Sequence, residues 1–177
     1  MAGNFCLQLG SDLNFFLGSE QGFGVMLAEG RGERTSLIPL SPTLLLWLTH
    51  PTVGCSTAEV YSRVVKTENC KKVPEFVAAC ETGQKSIIGA ALFNSLQLPA
   101  CELNSWIGIQ LQLLQECGCT HRQMTGSGSC CFGLAPDWGV VDTLKYRAQA
   151  LGIPRVYETS LWYGDSIECQ LKRLSSI

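Results

Sequence analysis

The stretch MTGSGSCCFGLA, residues 124–135, sets three glycines and three small hydroxyl residues in an otherwise apolar segment. Gly126 and Gly128 alternate with Thr125, Ser127 and Ser129, so the chain can turn sharply and gather successive N–H groups without side-chain bulk. Such a nest attracts a phosphate or carboxylate, but the same composition also makes ordinary tight connections. Taken alone, the residues leave both roles open. Two known loops are excluded: no G-K-[ST] follows, and the next segment, CCFGLA, reads as a strand where a dinucleotide fingerprint needs a helix.

Working outward from this loop, HRQM at 121–124 reads as a short extended piece. ACELNSWIGIQLQLLQECG at 100–118 places Leu103, Ile107, Leu111 and Leu114 three to four residues apart before a glycine, which predicts one continuous helix. Residues 73–93 carry a helical pattern broken near Gly83, and STAEVYSRVVK at 56–66 opens with Ser56, Thr57 and Glu59 like a capped helix. Downstream, VVDTLKYRAQALG predicts a helix and RVYETS a strand. Towards the N-terminus, LLLWLTH at 44–50 is apolar enough for a central strand, TSLIPL at 35–40 reads as another, and the glycine-rich residues 17–33 suggest a hairpin of short strands. This order predicts an α+β domain of two layers. The tail DSIECQLKRLSSI reads as a last helical turn or a frayed end, and the opening residues as a chain entered part-way through an element.

Bulk properties narrow the class. A chain of 177 residues can bury a core of its own, and 46% apolar against 16% charged residues with a net charge of −2 describe a globular protein. The longest apolar run, residues 44–48, is far shorter than the roughly 20 residues of a membrane span. With 13 basic and 15 acidic residues and no basic cluster beyond Lys71 and Lys72, a nucleic-acid footprint is missing. Ten cysteines could suggest a disulfide framework, but with no cationic apolar leader they read as reduced thiols of a cytoplasmic protein. No C-x-x-C pair occurs and only His50 and His121 are present, so no metal site is expected.

Four other places could carry chemistry. Asp12 in GSDLNFF can cap an element, or accept a proton and orient a hydroxyl during phosphoryl transfer. GRGE at 30–33 reads as a solvated turn, although Arg31 could pair with phosphate. His50 can cap or pack at a strand end, and Ser56 or Thr57 can cap a helix or meet an anion. Asn94, before a proline-containing loop, is expected to bond backbone groups. The four tryptophans, scattered along the chain, are expected in core or rim positions.

Several of these pieces together resemble the galactokinase, homoserine kinase, mevalonate kinase and phosphomevalonate kinase superfamily. They are LGSDLNFFL (9–17), GRGE (30–33), the strand, Pro51, Gly54 and STAEVY (44–61), FNSLQLPA (93–100) and MTGSGSCCFGL (124–134). Within the superfamily they are most similar to the kinases of 4-diphosphocytidyl-2-C-methyl-D-erythritol. The resemblance implies an ATP- and Mg²⁺-dependent transfer of phosphate to the 2-hydroxyl of that nucleotide-linked substrate, in non-mevalonate isoprenoid precursor synthesis. It maps the catalytic aspartate to Asp12 and a nucleotide-phosphate loop to Thr125, Gly126, Ser127, Gly128 and Ser129. It further implies a ferredoxin-like C-terminal domain over 51–177 and a remnant of the N-terminal domain over 1–50.

The family's N-terminal lysine and P-x-x-x-G-L-G-x-x-S-S loop do not occur in these residues, and Asn14 stands where a proline is usual. The expectation is therefore a truncated kinase, inactive as an isolated chain, whose partner is a missing N-terminal half or a second copy, with Leu7, Leu9, Phe15 and Phe16 forming an aggregation-prone patch or a dimer contact. The alternative is a non-catalytic module that binds a small molecule or a partner.

Overall fold

The computed structural model describes residues 25–30, 32–38, 44–65, 72–136 and 141–161. The chain divides into two compact units, Met1–Ser41 with Trp162–Ile177, and Pro42–Leu161. In the first, β1 (Met26–Glu29) and β2 (Arg34–Leu37) form an antiparallel hairpin, with Glu29 opposite Arg34. The sequence pattern predicts a hairpin within residues 17–33, of which 17–24 and 31 lie outside the described residues; the second strand is instead the run read as a separate strand at 35–40. Between the two strands, Gly30 and Gly32 have φ of +68° and +96°, which a side chain would resist.

The second unit is built on β3 (Leu45–His50), whose side chains alternate between buried and half-buried. Leu45, Trp47 and Thr49 enter the core, and the Trp47 indole donates to Glu158 Oε1 at 3.1 Å. The strand pairs antiparallel with β5 (Cys131–Leu134) on one side and β6 (Arg155–Ser160) on the other, while β4 (Arg122–Met124) pairs with β5. The sheet order is β4-β5-β3-β6. The two compact units divide between Ser41 and Pro42, and β3 is hydrogen-bonded on both edges within this sheet.

Between β3 and β4 the chain forms α1 (Thr57–Ser62), α2 (Lys72–Glu81), α3 (Lys85–Ala90), α4 (Gln97–Leu103) and α5 (Ser105–Glu116); α6 (Asp142–Ala150) joins β5 to β6. Ser56 caps α1 by accepting from Glu59 N at 3.4 Å, the expected opening. Gly83, at φ +65°, separates α2 from α3. The helix expected as one piece over 100–118 is two, because Asn104 is extended at φ −143°, ψ 101°. Its Oδ1 accepts from Trp106 N at 3.0 Å and its Nδ2 donates to the Val53 and Gly54 carbonyls at 3.3 Å each. A cap and a long-range tether together outweigh continuation of the helix. Helix α5 ends where Gly118, at φ +98°, lets Cys119 N donate to Leu114 O at 2.9 Å and Gly118 N to Gln115 O at 3.0 Å, the double bond pattern that satisfies last-turn carbonyls.

Helix α5 packs on β4, β5, α4 and α6, and α6 packs on β6. The core joins Leu45 and Trp47 of the sheet to Val60 of α1, Ile107 and Leu114 of α5, and Leu144 of α6. Leu114 is fully buried, so Leu114→Ala is expected to lower the unfolding free energy by roughly 3 kcal/mol, measured by urea titration. Among the described residues the cysteines are free thiols. Burial pushes Cys119 up to about 11. The folded chain therefore holds this proton more tightly than the unfolded one, so the stabilisation is complete below the ordinary thiol value of 9.0 and is lost as pH rises through about 11. Unfolding free energy should fall over that window, and Cys119→Ala should flatten the fall.

Candidate functional site

The glycine loop is the turn between β4 and β5. Its own backbone supplies two closing bonds, Thr125 N to Cys130 O at 3.0 Å and Gly128 N to Thr125 O at 3.1 Å. Gly126 and Gly128 take φ of +58° and +90°, values costly for other residues. A Cβ on Gly128 would lie 2.9 Å from Met124 Sδ and 3.3 Å from both Cys55 Sγ and Ile107 Cδ1, whereas Gly126 faces open space. Thus Gly128 answers to packing and Gly126 to backbone angle.

Four other segments hold the loop, three through side chains and one through a backbone carbonyl. Asn94 Nδ2 donates to the carbonyls of Met124 and Gly126, each at 2.9 Å, while its Oδ1 accepts from Leu96 N at 2.9 Å. The expectation that Asn94 bonds backbone is met, and the backbone it bonds is the loop itself. Gln97 Oε1 accepts from Met124 N at 2.9 Å. Ser129 Oγ donates to Val53 O at 2.6 Å, and Gln110 Nε2 donates to Ser129 O at 2.8 Å. The Thr57 and Ser127 hydroxyls meet at 2.9 Å. Three of the stretches singled out in the sequence, 44–61, 93–100 and 124–134, therefore converge on one place.

Among the described residues no acceptor meets the N–H of Gly126, Ser127 or Ser129. Thr125 and Gly126 are exposed, Ser127 and Gly128 half-buried and Ser129 buried. Carbonyls held by side chains, with amides left over, give a turn able to donate to an anion. Burial pushes the Cys130 and Cys131 thiols up, so both stay protonated near neutrality and offer no thiolate nucleophile.

Beside the loop, and sharing Met124, Thr125 and Gly126 with it, lies a groove of about 680 Å3 walled by Tyr61, Val65, Val73, Phe93 and Phe132. The Lys72 ammonium lies 4.3 Å from the centre of the Phe93 ring, a cation–π contact. Ser56 serves α1 as its cap, while Thr57 faces the loop. His50 ends β3 opposite Arg155, and its buried Nδ1 has no hydrogen-bond partner among the described residues. Asp12 and Arg31 lie outside the described residues.

Sequence reasoning missed Gln97, Asn104 and Gln110. Gln110 had a signal: it interrupts the apolar stripe of α5, three residues after Ile107 and four before Leu114, where a polar side chain needs an internal partner. Asn104 and Gln97 had none, because their partners lie far away in sequence.

Residues 76–153 match the family described as GHMP kinases C terminal. The chain carries a GHMP kinase C-terminal domain. It is 38% identical to the 4-diphosphocytidyl-2-C-methyl-D-erythritol kinase of Rhodopirellula baltica over 131 residues, 72% of this chain and 40% of that protein. It is 35% identical to the enzyme of the same name from Moorella thermoacetica over 147 residues, 80% of this chain and 50% of that protein. The crystal structure of a 4-(cytidine 5'-diphospho)-2C-methyl-D-erythritol kinase superposes with a TM-score of 0.68 at 26% identity, covering 93% of this chain and 58% of the other. The chain thus spans about half the length of the curated relatives it matches.

Asn94→Ala removes three hydrogen bonds at once. It is expected to cost about 1–3 kcal/mol in unfolding free energy and to speed amide hydrogen exchange at Thr125 and Gly128, read by NMR.

Proposed function

We propose that this chain contributes the C-terminal part of an ATP-dependent kinase that phosphorylates the 2-hydroxyl of 4-diphosphocytidyl-2-C-methyl-D-erythritol. The observation that carries the reading is the loop at 125–129: its carbonyls are held by Asn94 and Gln110 while the amides of Gly126, Ser127 and Ser129 have no partner among the described residues. Similarity to two kinases named for that substrate supports the choice of phosphate acceptor. The order β3, helices, β4, β5, α6, β6 with sheet order β4-β5-β3-β6 supports a two-layer, ferredoxin-like domain. We assign residues before Pro42 to the N-terminal half of such a kinase.

In this reading residues 125–129 face the nucleotide phosphates and Asp12 accepts or orients the proton of the attacking hydroxyl. The hydroxyl oxygen bonds the γ-phosphorus, the bond from that phosphorus to the β-γ bridging oxygen breaks, and ADP leaves. The loop amides fit an anion. Among the described residues no group of three His, Cys, Asp or Glu side chains could hold a metal ion, so Mg²⁺ is assigned no ligand here and no step is routed through it. These 177 residues include neither a G-L-G-x-x-S-S loop nor a lysine before Asp12, and phosphoryl transfer needs a cradle of donors and positive charge around the β- and γ-phosphates.

Two measurements test the proposal. ADP release by the 177-residue chain with the substrate should be undetectable, far below the ~1–100 s⁻¹ of working kinases. A chimera of the Moorella thermoacetica relative, with only the part that corresponds to residues 42–161 replaced by those residues, should retain turnover within about tenfold of its parent, and on this substrate rather than on homoserine or mevalonate. A folded chimera that binds ATP and releases no ADP would overturn the kinase reading in favour of a binding module.

A further inference from the structure

We infer that Gln110 is a positioning residue for the glycine loop, acting through the Ser129 carbonyl; this rests on the proposed reading of the loop as the phosphate-facing element. Gln110 lies on the inner face of α5 with no exposure to solvent, among side chains such as Ile107 and Leu114 that build the core. A leucine or methionine of similar volume would satisfy packing there, because it would carry no polar group into the interior. Both donors of the carboxamide are used on backbone: Nε2 reaches Trp106 O at 3.1 Å, one turn back in its own helix, and Ser129 O at 2.8 Å. The first bond braces the side chain against its helix, and the second fixes the loop. Gln110 Oε1 is buried and meets no hydrogen-bond donor among the described residues. An acceptor left unpaired is a cost to the fold, so what Gln110 contributes lies in the carbonyl it holds.

That carbonyl is the far anchor of the loop. Asn94 fixes the near limb through the Met124 and Gly126 carbonyls, and nothing on the Asn94 side reaches residue 129. There the Ser129 hydroxyl is tied to Val53 O at 2.6 Å and the Cys131 thiol lies 3.9 Å from Ser129 O, a distance at which sulfur is a feeble donor. Gln110 is the strong donor to that peptide. With both limbs held, the amides of Ser127 and Ser129 keep one orientation before any ligand arrives, which is how a donor set gains affinity without adding contacts.

The test uses the full 177-residue chain with inorganic pyrophosphate as the probe. Gln110→Met preserves volume and removes both donors; Gln110→Asn keeps the chemistry and withdraws its reach. Leu144→Ala, in α6, supplies a control that lowers stability without touching the loop. By NMR, Gln110→Met is expected to speed amide exchange at Thr125 and Gly128 by about tenfold or more and to weaken the pyrophosphate-induced shifts at Gly126 and Ser127 by a similar factor, with the amides of β3 unchanged within about twofold. Should the methionine variant not fold, Gln110→Asn is read in the same way. The inference is overturned if loop exchange stays at the wild-type rate, or if Leu144→Ala reproduces the loop effect at an equal loss of melting temperature. A wild-type chain whose loop signals ignore pyrophosphate would remove the phosphate-facing reading of this loop, while the exchange comparison still decides whether Gln110 positions it.

Discussion

Everything at the candidate site depends on the bridge that the Asn94 carboxamide makes between the Met124 and Gly126 carbonyls. A trans peptide directs its C=O and N–H to opposite sides of the chain. Holding the Gly126 carbonyl inward therefore turns the Ser127 amide away from Asn94. The same side chain accepts from Leu96 N just before α4, so the loop and the start of that helix share one anchor. Backbone bonds alone would leave the six-residue turn 125–130 closed at Thr125 and Gly128 only, with freedom in the peptides between.

The fold then brings the anchors to the loop from separate directions. Val53 arrives from the end of β3, Thr57 from the opening of α1, Asn94 and Gln97 from the approach to α4, and Gln110 from the inner face of α5. Asn104 sets the first and the last of these in relation, since it caps α5 while bonding the Val53 and Gly54 carbonyls. Break the helix at Asn104, and α5 can run across β4 and β5 at the angle that carries Gln110 beneath Ser129; continue it, and the tether to residues 53 and 54 is lost.

Features fixed by local chemistry were legible in the sequence. The serine opening of α1, the glycine stops after α2 and α5 and the apolar run of β3 all follow from neighbours within a few residues, and each lies where the pattern put it. The loop at 124–130 was legible as a turn rich in bare backbone, and Asn94 as a backbone binder. What stayed hidden required partners tens of residues away: the break at Asn104, the donor role of Gln110, and the pairing of β3 with β5 and β6. The catalytic role read for Asp12 falls on residues outside those described. Periodicity found the helix around 100–118 but could not see that a tether to residue 53 divides it.

The electrostatics of the described residues also say what kind of site this domain can make by itself. The groove beside the loop is lined by apolar, amide and hydroxyl groups, with no Lys, Arg, Asp or Glu among its described walls. Lys72, the cation near its rim, lies over the Phe93 ring. Among the described residues, a phosphate at residues 125–129 would meet oriented amide dipoles but no neutralising charge in the groove wall, and a few such bonds in an open groove leave affinity near the ~4 kcal/mol of a millimolar complex. Bare amides nevertheless have one advantage over lysines: they do not move. A turn whose carbonyls are tied into a packed core presents donors at fixed positions and pays no reorganisation when charge develops on a transferring phosphoryl group. The physical role that best suits this domain is therefore orientation, with the bulk of the binding charge supplied by other groups.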